Sequence, residues 1–363
     1  MKSLRCAFVI EQTLGHVAHS RNLERHVPAR PDLDATFVKL GFEGRGLLGS
    51  LPGLGSWSFR ASWTARSALR RRADRLDAVF IHTQVAALMA GSIMRRVPTV
   101  VSLDATPVNF DSQGEAYGHH RQAERLERLK RLINIRTLRR ASRLVTWCDW
   151  ARRSLVSDYG VATEQVSVIH PGVDLELFRP ARHRRPGPPR ALFVGGDFER
   201  KGGCDLLEAW ARIEGPIELD LVTSPPPGLS LPPGVRLHTG LKPQSDALLA
   251  LYRDADVFVL PTRGDCFPQA VAEAMACGMP AIVSGVGALP EMVQNGVNGY
   301  VVEPRAPDEL RLVLERLLAD SRERRRMGAA SLEIARERHD ARRNCYAICD
   351  LLHEAAAAAP SPK

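Results

Sequence analysis

Apolar residues come in short runs rich in Val, Ile, Leu and Phe, separated by longer stretches in which they recur every three or four positions. The runs at 6–10, 34–38, 77–81, 99–103, 143–147 and 166–169 predict strands, and the segments 84–95, 115–140 and 149–159 between them predict helices. Strands alternating with helices form βαβ units, so the expected architecture is a parallel sheet covered on both faces. The alternation pauses at HRRPGPP (183–189), which is poor in apolar residues and reads as an interdomain linker.

A second alternation follows. Strands are predicted at 191–195, 217–223, 235–238, 256–260, 281–284 and 299–302, and helices at 203–213, 245–253, 269–277 and 289–294. The chain is helical in pattern from 308, ends in an amphipathic helix at 340–352, and closes with AAAAAPSPK, expected to fray. No residue-level repeat is visible. The organisation predicted is a first domain at 1–180, a second at 181–340 and a terminal segment at 341–363. In two doubly wound α/β domains facing across a cleft, a ligand sits at the carboxyl ends of the strands.

Composition narrows the class. The 363 residues are 44% hydrophobic and 25% charged, which excludes disorder, collagen and a coiled coil. No window reaches the roughly 20 uncharged apolar residues of a membrane helix. The opening MKSLRCAFVIEQ is too short in its apolar run for a signal peptide. Seven cysteines without a C-x-x-C pair point to a reducing compartment, and neither to a disulfide framework nor to a zinc site. Charge is uneven: residues 1–180 hold 27 Lys/Arg against 17 Asp/Glu, net +10, and 181–363 hold 23 against 24, net −1. A basic first half calls for an anionic partner there: nucleic acid, a lipid surface or a phosphorylated substrate.

Two stretches carry chemistry. In FVGGDFERKGG (193–203) a strand ends at Gly195–Gly196, and a loop with Arg200 and Lys201 leads into a helix at Gly202–Gly203. Glycine backbone, two cations and a helix start suit a phosphate; the plainer alternative is a glycine turn with surface cations. In PTRGDCFPQAVAEAMACGMPAIVS (261–284) a strand ends in a loop with Arg263, Asp265 and Phe267, and Pro268 stands near the first position of a helix that carries Gln269 and Glu273. A loop carboxylate and a helix carboxylate at a strand's carboxyl end suit vicinal sugar hydroxyls, against the alternative of solvated surface acids.

These stretches, with HPGVDLELFRP (170–180) and GALPEMVQNGVNGYVVEP (287–304), stand in the order and spacing of a known family over about 135 residues. The chain resembles glycosyltransferase family 4, the retaining GT-B enzymes that use nucleotide sugars; its first half resembles them mainly in architecture. The resemblance implies two Rossmann-like domains facing across a cleft. It implies that Lys201 binds the donor diphosphate and Glu273 holds the ribose hydroxyls. Asp265 would contact the transferred sugar, and Phe267, Pro268 and Gln269 would lie near that sugar and its phosphates. Gly195 and Gly196 would line the donor site, with Arg200 or Arg263 adding positive charge.

Several departures accompany it. Gly196 stands where the family often has Arg, Asp265 is one methylene shorter than Glu, and Asp104 in VVSLDATP stands near the place of a family His. The N-terminal Gly-Gly loop is reduced to Gly15–His16. By resemblance Gly15, His16 and Asp104 serve the acceptor side, and the terminal helix crosses back to the first domain. Transfer in this family needs no metal and no cofactor: Lys201 and Arg200, with the helix start at Gly202–Gly203, stabilise the leaving diphosphate. The departing phosphate oxygen takes the acceptor's proton on the same face, and Asp104 orients acceptor or sugar.

His16, His82, His119, His120 and His170 are scattered without metal spacing and read as structural or exposed, His16 having the best claim because it follows the first strand. The segment 121–143 holds nine Arg/Lys and two Glu, with Leu126, Leu129, Leu132, Ile133, Ile135 and Leu138 at helical spacing. It reads as a sheet-covering helix with a solvated basic face. A sharper reading has it dock to anionic lipid headgroups, with Trp57, Trp63 and the cluster at 66–75 extending the patch. No nucleic-acid motif accompanies the charge.

The expected protein is therefore a cytoplasmic enzyme of polysaccharide biosynthesis, peripheral on the inner membrane face where the basic patch docks. It moves a hexose from a UDP- or GDP-sugar to a hydroxyl of a glycan, lipid-linked or small-molecule acceptor. Two alternatives stand beside it: a catalytically silent GT-B protein that binds a nucleotide sugar or a partner, and a hydrolase or epimerase of UDP-sugars.

Overall fold

The computed structural model describes residues 3–13, 15–41, 56–118, 123–181, 187–226 and 228–359. In chain order the elements are β1 (Leu4–Gln12), α1 (His16–His26), β2 (Leu33–Gly41), α2 (Trp57–Arg70), β3 (Ala78–His82), α3 (Gln84–Ala87), β4 (Thr99–Leu103), α4 (Pro107–Ser112), α5 (Glu124–Leu138), β5 (Arg143–Thr146), α6 (Asp149–Tyr159) and β6 (Val166–Val168). Then come β7 (Arg190–Asp197), α7 (Gly203–Trp210), β8 (Glu218–Ser224), β9 (Val235–His238), α8 (Asp246–Asp254), β10 (Val257–Leu260), α9 (Gln269–Ala276), β11 (Ala281–Ser284), α10 (Leu289–Met292) and β12 (Gly299–Val302). Three helices close the chain: α11 (Pro307–Ala319), α12 (Ser321–Arg338) and α13 (Ala341–Ala357).

Two compact units emerge. The first takes Met1–Asp111, His120–Gly172 and Ala341–Lys363; the second takes Ser112–His119 and Val173–Asp340. The division thus falls at 172/173 rather than at the expected 180/181, because Val173 already bonds to the second unit: its N–H donates to the His339 carbonyl at 2.7 Å. The expected linker at 183–189 lies, for 183–186, outside the described residues, as do His119, His120, Arg121 and the tail from 360.

In the first unit six parallel strands run in the order β2-β1-β3-β4-β5-β6. The inner strands β3 and β4 are buried at every position, which is why they read as unbroken apolar runs. One core layer joins the sheet to α2, α3 and α5 through Ala61, Ala65, Leu69, Ala86, Ala87 and Leu138. The other joins it to α1 and α13 through Leu23, Cys345, Ile348, Cys349, Leu352 and Ala355. Helix α13 is therefore part of the first unit's core. Ala355, expected in a frayed tail, is buried there.

The second unit has six parallel strands in the order β12-β11-β10-β7-β8-β9. The direction in which successive strands are added to the sheet reverses between β1 and β3 in the first sheet and between β7 and β10 in the second. At such switch points the loops leaving neighbouring strands part to opposite faces and leave a crevice.

Several predicted boundaries shift. The helix expected at 84–95 is regular only in α3 and continues as turns, with Met94 N–H donating to Ala90 and Val97 N–H to Ile93. The helix expected at 115–140 starts at Glu124, because 114–117 forms a separate 3-10 turn ending at Gly118 in the left-handed region. Helices α1 and α2 were not legible in the hydrophobic pattern; both carry polar residues on their buried faces, among them His19, Ser20, Asn22 and Ser62.

Candidate functional site

In the second unit the loops after β7 and β10 meet at the switch point. Lys201 reaches across to Asp265, 64 positions away, and its ammonium donates to the Asp265 carboxylate. The backbone imposes this meeting. The register of β7 slips between Val194 and Asp197, and Lys201 N–H donates to the Asp197 carbonyl, closing the loop as a tight turn. Gly202 follows with φ +79°, and a Cβ there would lie 1.9 Å from the Pro261 carbonyl oxygen, so only glycine lets the two loops touch. The Arg200 carbonyl accepts from Arg263 N–H at 2.8 Å and from the Thr262 hydroxyl at 3.1 Å, tying the loops together.

The Asp265 turn is braced from two further sides. Its N–H donates to Gln113 Oε1 at 2.6 Å. Gly287, at φ +56°, packs so closely that a Cβ would stand 2.0 Å from the Asp265 carbonyl oxygen, and Ala288 N–H donates to the Cys266 carbonyl at 3.1 Å. The GALPE stretch is thus the floor under Asp265.

Glu273 stands on α9, half-buried, and its Oε2 accepts from the Tyr252 hydroxyl at 2.7 Å. Burial pushes the Glu273 carboxyl up to about 7, and the Tyr252 hydrogen bond pulls partly the other way. Tyr252 is fixed in turn by Phe258, stacked at 6.2 Å, and by Phe178, edge-on at 5.4 Å. Nothing in the sequence pattern marks Tyr252; it occupies an ordinary buried helix position.

Other expectations change. Arg263 does not supply charge beside Lys201, since its guanidinium is bidentate to Asp205 at 2.6 and 3.0 Å. Arg200 is held by Asp197 at 3.0 Å and the Gly264 carbonyl at 2.8 Å, and lies over the Tyr117 ring at 4.6 Å. The N–H groups of Gly202 and Gly203 are not free donors: they bond to the carbonyls of Glu199 and Phe198, which leaves the helix dipole of α7 as the contribution from that end. Phe267 is buried edge-on against His339 at 6.0 Å, Pro268 is the N-cap of α9 rather than its first residue, and Gln269 is buried. Gly195 abuts the Lys201 side chain, whereas a Cβ on Gly196 would meet nothing within 4 Å.

In the first unit, Gly15 caps α1 and His16 begins it. His16 Nε2 lies 3.5 Å from Asp104 Oδ2, and its Nδ1 shares a proton with His82 Nε2 at 3.1 Å. Burial works against a charged His16, but Asp104 and Glu11 outweigh it, so its pKa is raised. His82 and His19 are buried and pushed down, His19 to about 3. The Trp147 ring stacks on His82 at 4.9 Å and meets His16 at 5.4 Å. Glu11, buried, accepts from Thr13 at 2.6 Å, Thr83 at 2.9 Å and Trp57 Nε1 at 3.2 Å. The scattered histidines are therefore partly a cluster. His16 and His82 meet because β1 and β3 are neighbours and end side by side, Ile10 standing opposite His82.

Similarity to known proteins bears on this geometry. Residues 16–177 match the family described as Glycosyltransferase Family 4, and residues 188–320 match Glycosyl transferases group 1, so the two matches together span most of the chain. The chain belongs to glycosyltransferase family 4. It is 36% identical over 203 residues to an MMP alpha-(1->4)-mannosyltransferase of Mycolicibacterium hassiacum, covering 53% of this chain and 49% of that protein. It is 32% identical over 227 residues to a D-inositol 3-phosphate glycosyltransferase of Thermobifida fusca, covering 54% and 51%. The chain spans about half the length of these curated relatives. In fold it is similar to the sucrose-phosphate synthase of Thermosynechococcus elongatus (TM-score 0.79, 18% identity, 98% of this chain and 100% of that one). It is likewise similar to Anabaena Alr3699/HepE in complex with UDP (TM-score 0.72, 17% identity, 97% and 100%). The fold of this family-4 chain is GT-B.

Proposed function

We propose that this family-4 chain is a retaining hexosyltransferase that takes a UDP- or GDP-sugar as donor and a hydroxyl of a glycan, lipid-linked or small-molecule acceptor. The observation that carries the reading is the meeting of Lys201 and Asp265 at the second sheet's switch point, with Glu273 on the helix that follows. Lys201 and the α7 dipole serve where a leaving diphosphate gains charge, with Arg200, bonded to Asp197 and the Gly264 carbonyl, on the same loop; this is chemistry that needs no metal. Glu273 accepts from ribose hydroxyls with the oxygen that Tyr252 does not use. The relatives' printed activities and the UDP of the HepE complex support the same donor class.

In the reaction the bond from the sugar's anomeric carbon to the phosphate oxygen breaks, and the diphosphate leaves with the electron pair. The acceptor oxygen bonds to the same face of that carbon, and its proton passes to the departing phosphate oxygen. Asp104 and His16 orient the acceptor side.

The test is a panel of UDP-, GDP- and ADP-sugars with simple hydroxyl acceptors, read as released nucleotide and as product anomeric configuration by NMR, with and without EDTA. Retention, EDTA-insensitive turnover and a loss of about a hundred- to thousand-fold in Lys201→Ala support the proposal. Inversion, or full activity in Lys201→Ala, overturns it. One observation favours a second reading, a silent sugar-nucleotide binder: Asp265 already neutralises Lys201. Tight donor binding without release of nucleotide would select it.

A further inference from the structure

Helix α5 is turned the wrong way for an ordinary sheet-covering helix. Its buried side is narrow, consisting of Thr137 and Leu138 with Ile135 packed beside the core. Leu126, Leu129, Leu132 and Ile133 recur at one-turn spacing and point outward, with Leu129 53% and Leu132 63% exposed. An amphipathic helix of a globular protein puts such a stripe inside.

Arginines frame this stripe. Arg125 and Arg136 fall on the same helical face as Leu129 and Leu132 by their i, i+4, i+7, i+11 spacing. The two acids of the helix are consumed locally, Glu124 by Arg128 at 2.5 Å and Glu127 by Lys130 at 2.9 Å. Arg125, Arg136, Arg139 and Arg140 have no acidic partner among the described residues. At the helix's C-terminal end, Leu132, Ile133, Ile135, Arg136, Arg139 and Arg140 line a groove of about 670 Å³. Arg136 and Arg95 lie close enough to Arg140 that their repulsion adds to loss of hydration in lowering its pKa.

We propose that this face of α5 is a docking surface for an anionic lipid bilayer, with leucines entering the acyl boundary and the unpaired arginines meeting lipid phosphates. Aliphatic side chains between arginines fit a surface that is both anionic and oily. A nucleic acid offers phosphates but no use for leucines, and α5 exposes no aromatic ring for stacking. Helix α2, which packs on α3 as α5 does, exposes Trp63 at 49%, stacked on Phe59. Trp57, expected as a second anchor, is instead packed on the core and bonded to Glu11. No helix among the described residues is long and apolar enough to cross a membrane. The proposal stands independently of the sugar-transfer reading, since it uses none of the residues assigned there.

The experiment is flotation of the full chain with vesicles of phosphatidylcholine alone and with about a third phosphatidylglycerol. Binding to the anionic vesicles only is expected. In Arg125→Gln/Arg136→Gln a loss of at least tenfold is expected, each basic residue being worth about fivefold in partition. In Leu129→Ser/Leu132→Ser a comparable loss is expected, with the melting temperature unchanged because both leucines are exposed. Four results overturn the proposal: no binding to anionic vesicles, equal binding to both vesicle types, unchanged binding in the leucine variant, or a concentration-dependent dimer that the leucine variant dissolves. Oligonucleotide binding lost in the arginine variant but kept in the leucine variant also overturns it. Sugar-nucleotide binding in solution is unchanged in both variants, which separates a failure here from a failure of the transferase reading.

Discussion

Replacing Glu273 by Gln sets stability against function in a way that can be calculated. Its carboxyl has an ordinary value of 4.5 and is pushed up to about 7 in the fold by burial. A carboxyl raised in this way binds its proton more tightly folded than unfolded. Its stabilising contribution is full below pH 4.5 and is lost as pH rises through about 7. At about 1.4 kcal/mol per pH unit, the raised pKa costs the fold up to about 3 kcal/mol at pH 8, where Glu273 is ionised, and less than about 1 kcal/mol at pH 5, where the folded carboxyl is protonated. The residual exposure of the side chain makes the larger figure an upper bound. Gln carries no charge and still accepts from Tyr252, so Glu273→Gln should gain up to about 3 kcal/mol at pH 8 and little at pH 5. Urea denaturation at the two pH values measures the difference. Calorimetry with UDP and GDP should show the reverse for function, about a tenfold weaker nucleotide at pH 8, because a neutral acceptor bonds hydroxyls less strongly than a carboxylate. Wild-type affinity should rise between pH 6 and 8 as the carboxylate forms. Equal gains at pH 5 and pH 8, or no gain at either, would refute the reasoning that burial of this carboxyl sets its pKa.

Three further outcomes follow from the geometry. Gly202→Ala should cost at least about 2 kcal/mol in chemical denaturation, since it adds a left-handed penalty to a clash with the Pro261 carbonyl; a loss under 0.5 kcal/mol would mean the two loops are not in contact. Asp104→Asn should lower the His16 pKa, seen by NMR titration. Because the His16 pKa is raised in the fold, the stability lost should be largest below pH 6.5 and fade as pH rises through the folded value; near-wild-type turnover with unchanged acceptor affinity would remove Asp104 from the mechanism. Gly196→Arg should fold with stability within about 0.5 kcal/mol of wild type, because a side chain there starts into open space; a larger loss would show that the strand end is tighter than it is here.

The order of the strands' runs, the glycine at 202, and the spacing of 201, 265 and 273 were legible in the sequence, whereas the need for glycine at 287 came only with the fold. Apolar periodicity reports which elements are buried on both faces, and the glycines mark where backbone must approach backbone. Those constraints act on the chain locally, so a single sequence carries them. Partner choice is not local. Arg263 could have served the phosphate site, and only the fold shows that Asp205 holds it. Tyr252 is an unremarkable helix residue until α8 and α9 bring its hydroxyl to Glu273. Helix α5 has the same repeat whether its leucines face the sheet or the solvent, and Trp57 reads as a surface anchor until Glu11 is found beside it. Periodicity fixes the angle between one side chain and the next on a single element. It carries no information on which neighbouring element, or which solvent, each face will meet, and that competition is decided only when the sheets and helices pack.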